Sequence, residues 1–524
     1  MKFFKDGKKL SEIADVNEGV KTANNDYFIR NWFEIEINKT NIFETNEHTK
    51  LFMHTKGGTY RKWYGNNEVL LNYENNGLEL KNFKKASVTG ESNFFLENIS
   101  WTRITSSKTG FRYTPKGSIP NMAGLALYPK EKFYYIIAYL NSKIVEDIIQ
   151  IINPTLNFPP GVISKIPVIF DTNSNDLLAE KANENINLSK EDWDNFEESW
   201  NFTLHPLMKY KNDSLEKSFI KWDEIAKNRF YKVKINEEKI NEIFIDIYNL
   251  KNSLSHRIED KDITLSKADL GRDIKSFLSY FIGCLFGRYS LDEEGLIFAG
   301  GDWNPSKYTK FIPDEDNIVP ILDTEYFYDD IVKSFEGFLK IVYGAETLED
   351  NIKFIADALG NKGKTYRDTI RRYFLKDFFN DHKKMYKKTP IYWLFDSGKE
   401  DGFKALIYMH RYTHDSVARI RTDYLHRLQK ALETKISNNE QIIQNSTNQK
   451  EKNQADKDNI KIKKQLEETR KYDESLAHIA NQQIDLDLDD GVKVNYSKFQ
   501  NVEVSNKKMN LLKDIIIYKH IIKI

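Results

Sequence analysis

At 524 residues the chain is long enough for two or more domains, each with its own core. Its 78 basic and 78 acidic side chains cancel, so any affinity for nucleic acid must come from local patches rather than overall charge. Charged residues at 30% and aromatics at 13% exclude wholesale disorder, and a single cysteine excludes an intrachain disulfide or a thiolate zinc cluster.

The start, Met1-Lys2-Phe3-Phe4-Lys5-Asp6, turns polar at once and lacks the pattern of a secretory signal. Residues 1 to about 170 are rich in aromatics, glycines and β-branched residues, with short alternations such as Phe33-Glu34-Ile35-Glu36-Ile37. This predicts a mixed α/β domain of short strands and turns. One helix is expected over Glu131 to Ile151, with Ile136, Ile137, Leu140, Ile144 and Ile148 on one face, and Asn153-Pro154 ends it. The most apolar stretch, Phe133 to Ile152, is interrupted by Asn141, Lys143, Glu146 and Asp147, which predicts no membrane span and a cytoplasmic location.

Residues 171–412 read as mainly helical. Ser189-Lys190-Glu191-Asp192 has capping-box spacing and predicts a helix start. Further helices are expected near 215–230, 236–250, 266–286, 325–342 and 347–359. Cys284 lies in an apolar run, as a buried inert thiol does. Pro390-Ile391-Tyr392-Trp393-Leu394-Phe395 predicts a buried strand or an extended segment. Over 413–486, Val417, Ile420, Tyr424, Leu428 and Leu432 keep helical spacing, and Leu466, Tyr472, Leu476 and Ile479 resume it. The polar stretch Ser437 to Asn459 between them predicts a turn, and the whole an antiparallel coiled-coil arm. The tail, 487–524, ends in an apolar run to which the sequence gives no role. The expected fold class is α+β: a mixed α/β domain, then a mainly helical domain carrying the arm.

Two segments carry the chemistry of nucleic-acid contact. One is Arg61-Lys62-Trp63-Tyr64, set between glycines. The other, residues 101–117, holds Arg103, Lys108, Arg112 and Lys116, no acid, and the hydroxyls of Ser106 and Ser107, beside Tyr113. Lysines and arginines position phosphates, and arginine forks read guanine. A solvated basic loop around structural tryptophans is the competing explanation. A second basic stretch, Lys362 to Lys388, has ten cations against three acids and suits either a phosphate clamp or a solvated helix.

Catalytic motifs are missing. An amino-methyltransferase needs an Asn-Pro-Pro-Tyr-like tetrapeptide to hold the exocyclic amine and stack on the flipped base. Asn153-Pro154-Thr155-Leu156 and Phe158-Pro159-Pro160-Gly161 both fall short, and Gly300-Gly301-Asp302 lacks the spacing of a cofactor turn. Glu237-Glu238-Lys239 and Asp273-Ile274-Lys275 match only half of a nuclease metal site, and the ten histidines show no metal spacing.

Several blocks in order are similar to one family. They are Gly19 to Arg30, Tyr60 to Gly65, Trp101 to Tyr113, Asn153 to Pro167, Asp192 to Leu207, Phe286 to Asp292 with Ala299 to Asp302, Pro390 to Gly398, Tyr472 to His478, and Asp487 to Tyr496. Together they resemble the C-terminal half of PglX-type adenine methyltransferases of BREX phage-defence systems, relatives of type IIG restriction-modification specificity domains. The resemblance implies that residues 1–170 form a target-recognition domain for double-stranded DNA. It also implies that a complete member transfers methyl groups from S-adenosylmethionine to adenine N6 through a catalytic core preceding this region. On that basis the chain is expected to hold no cofactor, to be inactive alone, and to work beside a separately encoded methyltransferase half or other BREX components. The alternatives are a protein-interaction subunit of a defence complex and a truncated remnant.

Overall fold

The computed structural model describes residues 7–105, 108–504 and 507–515. The chain has a mixed α+β fold in two compact units, one of Met1–Trp32, Ile37–Pro206 and Ile220–Asp269, the other of Phe33–Glu36, Leu207–Phe219 and Leu270–Ile524. Among the described residues no helix is long and apolar enough to cross a membrane.

Eight strands of the first unit matter here. They are β1 (Ala14–Asn17), β2 (Ile29–Asn31), β3 (Leu51–Thr55), β4 (Val69–Asn72), β5 (Asn98–Thr102), β6 (Arg112–Thr114), β7 (Ile119–Pro120) and β8 (Gly124–Pro129). They form two four-stranded sheets, ordered β1-β8-β5-β6 and β2-β4-β3-β7. The first is antiparallel throughout, with Trp101 opposite Leu125 and Ile99 opposite Leu127. The second is antiparallel except where β3 runs beside β7, His54 against Ile119. Ile99, Trp101, Leu125 and Leu127 bury one face of the first sheet into the main apolar core of the unit.

Helices complete that core. The helix expected over 131–151 is in fact two, α1 (Phe133–Leu140) and α2 (Lys143–Ile152). Asn141 breaks it: its side chain accepts from Phe111 N at 3.0 Å and donates to Phe111 O at 2.9 Å, imitating a strand neighbour. Helical spacing cannot reveal such a break, because the apolar faces of α1 and α2 stay in phase. α3 (Asn175–Trp193) packs on α1. The capping-box residues Ser189 to Asp192 lie in its last turns, not at its start, with Ser189 and Asp192 buried. The two helices expected at 215–230 and 236–250 are one, α4 (Leu215–Ile247), whose residues from Ile220 onward belong to the first unit. No glycine or proline interrupts it, and Trp222, Ala226, Phe230, Val233, Ile240 and Phe244 form a continuous buried row.

The second unit is built on α5 (Leu270–Leu285), buried from Asp273 to Leu285 except at Lys275. Phe277 and Phe281 pack against Phe335 and Phe338 of α6 (Ile331–Tyr343). α7 (Leu348–Ala358), α8 (Tyr366–Lys376) and α9 (Phe378–Met385) follow. The expected strand at 390–395 is β10 (Tyr392–Asp396), paired with β11 (Lys404–Tyr408), which also pairs with β9 (Val319–Pro320). Cys284 is buried, as expected. Over 413–486 two long helices run antiparallel, α10 (His426–Asn445) and α11 (Gln449–Gln482). The pairs Arg470–Glu433 and Lys463–Glu440 fix their register, and Asn439 donates to Asn459 between them. Residues 516–524 of the apolar tail lie outside the described residues.

A buried histidine makes the first unit acid-sensitive. His54 Nδ1 donates to Ile119 O at 2.8 Å while Nε2 accepts from Asn121 Nδ2 at 2.9 Å, so both nitrogens are committed in the neutral ring. Burial, against the pull of the Ile119 carbonyl, holds its pKa down at about 4. The unfolded chain takes up a proton near pH 6.5 that the folded chain refuses until about pH 4, so stability falls as pH drops through that window. The loss is on the order of 3 kcal/mol. In thermal melts the wild type should lose Tm between pH 6.5 and 4 more steeply than His54→Gln.

Candidate nucleic-acid interface

The three segments that the sequence marks are knit together through their backbones. Trp63 N donates to Phe111 O at 2.9 Å and Tyr113 N to Trp63 O at 2.7 Å, joining 58–66 to 101–117. Thr105 N donates to Leu156 O at 3.1 Å and Phe158 N to Arg103 O at 2.6 Å, joining 101–117 to 153–167. The approach is close enough that a Cβ on Gly110 would lie 2.4 Å from Arg61 O, so only glycine fits there. Trp63 itself sits at φ 69°, a conformation that a tryptophan keeps only when its surroundings impose it.

The surroundings are two buried carboxylates. Glu237, on α4, accepts from Lys62 Nζ at 2.8 Å and from Trp63 Nε1 at 2.6 Å. Burial disfavours the Lys62 ammonium, but Glu237 outweighs it and raises its pKa. Asp192, at the end of α3, receives Arg61 Nη1 at 3.4 Å, Arg229 Nη2 at 3.1 Å and Ser266 N at 3.1 Å. The Arg61 guanidinium also lies 4.9 Å over the Trp193 ring. Trp63 and Tyr64 are almost wholly buried. In this arrangement Arg61, Lys62, Trp63 and Tyr64 brace the loop and face inward.

The 101–117 segment divides. Arg112 is buried, its guanidinium directed at Arg61 O, Gly110 O and Thr102 Oγ1 over 3.4–3.5 Å. Burial first, and the neighbouring Arg61 second, lower its pKa to about 10. Held there, it cannot present a fork to a base. Lys108 bridges Glu146 at 3.0 Å and Asp262 at 3.1 Å, half-exposed. Tyr113 stacks edge-on against Phe133, with its hydroxyl toward Glu97 Oε2 at 3.4 Å; burial pushes its pKa up to about 12. Arg103 pairs with Glu18 at 3.1 Å on the surface, a type of pair worth at most about 1 kcal/mol. Lys116 is exposed, and no carboxylate of the described residues pairs with it. Ser106 and Ser107 lie outside the described residues.

In the second basic stretch several cations are likewise committed. Arg367 bridges Glu336 and Glu349, each contact at 2.5 Å. Arg371 makes a forked pair with Asp330, whose carboxylate also caps α6. Lys376 pairs with Asp401. Neither acid-x-Lys string forms a metal site: Lys239 pairs with Glu242, Asp273 with Arg272, and no cluster of ligand side chains suited to a metal occurs among the described residues.

Sequence reasoning missed the role of Asp192 and Glu237 while noticing both residues, one in a capping-box string and one in a half-motif for a nuclease. Their partners are 131 and 175 residues away, a distance no local pattern spans. The bracing has a measurable consequence. Glu237→Ala strands a buried ammonium and an indole N–H, and should cost about 3–5 kcal/mol in thermal or denaturant unfolding. Lys239→Ala, on the exposed face of the same helix, should cost under about 0.5 kcal/mol.

No family model matches the chain. It is 40% identical over 513 residues to the adenine-specific methyltransferase PglX of Lacticaseibacillus casei (strain Zhang), covering 94% of this chain and 42% of the relative. It is 37% identical over 510 residues to the adenine-specific methyltransferase BrxX of Escherichia coli O9:H4 (strain HS), covering 90% of this chain and 41% of the relative. The chain thus spans about two fifths of the length of the curated relatives it matches.

Proposed function

From its kinship with the PglX and BrxX adenine-specific methyltransferases over nearly its whole length, we propose that this chain supplies DNA target recognition to a PglX-like methyltransferase of a BREX defence system. The observation that carries this is the relation itself, continuous through the three backbone-linked segments of the first unit. In such an enzyme the methyl group comes from S-adenosylmethionine and goes to adenine N6. Residues 1–524 hold no Asn-Pro-Pro-Tyr-like tetrapeptide to grip the amine, so methyl transfer requires a catalytic core outside them, and the other BREX components are candidate partners.

The structure narrows the contact set. Arg103, Tyr113 and Lys116 remain accessible, and Lys108 reaches the surface on a double ion pair. The Arg103–Glu18 pair is weak enough for a phosphate to displace it. Arg61, Lys62, Trp63, Tyr64 and Arg112 support the surface from beneath.

Binding to a labelled duplex, followed by fluorescence anisotropy between 50 and 200 mM salt, tests this, salt being the variable that reports on phosphate contacts. Affinity should fall linearly on a log–log plot, with a slope near −0.9 for each phosphate engaged. Lys116→Ala should weaken binding evenly across sequences and flatten that slope by about one. Arg103→Ala, if the fork reads a base, costs about 1–3 kcal/mol on the preferred site only. A chain that binds no duplex at low salt refutes the proposal.

A further inference from the structure

Beside the backbone junction of the three segments lies a pocket of about 340 Å³, within the size range of small-ligand sites. Its walls are apolar and partly aromatic: Phe111, Leu140, Val145, Ile149 and Phe158. Leu156 also lines it yet is 52% exposed, and Ile104, bridged to Asn157 beside it, is 69% exposed. Large apolar side chains left in water around a preformed slot mark a surface built to be covered.

Charge decides what kind of body fits. Lys62 and Lys108 line the pocket, but each is already neutralised, by Glu237 and by Glu146 with Asp262. The pocket therefore offers no free cation to a phosphate or carboxylate, while Glu146, the one carboxylate on its lining, can accept a hydrogen bond from an amine. Thr109 Oγ1 is buried at the lining and has no hydrogen-bond partner among the described residues. A buried hydroxyl without a partner costs free energy that a ligand heteroatom recovers. Tyr60, whose phenol pKa is raised chiefly by burial, adds an aromatic side chain on the same lining.

We propose that this pocket takes an uncharged, planar, amino-bearing ring of nucleobase size, its faces between the apolar walls and its polar edge on Thr109 Oγ1 and Glu146. The size and the absence of charge follow from the pocket; planarity is part of the reading of the ligand as a nucleobase. Identifying the ring as a nucleobase rests on the DNA-recognition proposal. The base comes either from a nucleotide turned out of bound DNA or from a free nucleoside, and phosphate stays outside.

The test uses the full chain in two arms. In the first, saturation-transfer NMR measures adenosine, cytidine and their 5′-monophosphates. Nucleosides should bind, monophosphates no more tightly. Thr109→Val should weaken nucleoside binding about tenfold, and so should Leu156→Trp, which fills the mouth from an exposed position and leaves Tm unchanged. In the second arm, duplexes carrying 2-aminopurine at successive positions are followed by fluorescence, with anisotropy read on the same samples. A fluorescence change lost in Leu156→Trp identifies DNA as the source. Nucleoside binding with DNA bound but 2-aminopurine silent identifies a free nucleoside. Nucleoside binding without any DNA binding sinks the recognition proposal and leaves the pocket assignment standing. The assignment is overturned if neither nucleoside nor 2-aminopurine responds, if both variants bind like wild type, or if monophosphates bind tenfold tighter than nucleosides.

Discussion

Two carboxylates taken fully out of water, Asp192 and Glu237, govern the first unit. An unpaired ion in such a place costs several kcal/mol, so each is tolerated only because its surroundings satisfy it completely. Asp192 gathers Arg61, Arg229 and the amide of Ser266; Glu237 gathers Lys62 and the Trp63 indole. Together they draw the 58–66 loop down onto α3 and α4 and hold Trp63 in its left-handed backbone conformation. With that loop fixed, its backbone can pair with Phe111 and Tyr113, and the 101–117 segment can in turn pair with 153–158. The surface and the pocket beside it both depend on this sequence of contacts.

Much of the fold was legible in the sequence because it rests on local periodicity. The helices near 270–285, 331–343 and 348–358, the strand at 392–396 and the antiparallel helix pair all follow apolar spacing that a reader can count. Expectations failed where a single side chain acts across the fold. Asn141 splits a helix by bonding to Phe111, and α4 continues where two helices were expected, because its buried row never lapses. The capping-box string at 189–192 has the right letters in the wrong turn of a helix. For the candidate site, the sequence singled out segments that the backbone brings together, but not which way their side chains face. Arg61, Lys62 and Arg112 have the composition of a DNA grip, and the positions of their partners make them internal braces.

This matters for a chain whose formal charge is zero. Charge runs read from sequence overstate what solvent sees: the Lys362–Lys388 stretch carries a large local excess, yet Arg367, Arg371 and Lys376 are already matched by Glu336, Glu349, Asp330 and Asp401. The same accounting around the pocket leaves a lysine-lined site without a free cation for an anion. In both places what counts for a ligand is the cations left unpaired, and not the number of cations.

The basic segments are also not held by the short strands alone. The ion-pair partners that position them, Asp192, Glu237 and Asp262, all come from beyond residue 170, and each belongs to the same compact unit, which extends to Asp269. A fragment ending near 170 would keep the basic segments and lose the carboxylates that neutralise Arg61 and Lys62, together with one of the two that pair with Lys108. Freed of them, Arg61 and Lys62 would leave the interior for water, and the 58–66 loop would lose its hold on α3 and α4. Bracing of the basic loops is therefore a property of the whole unit. The helices after residue 170 hold this surface in place as much as the loops' own backbone pairing does.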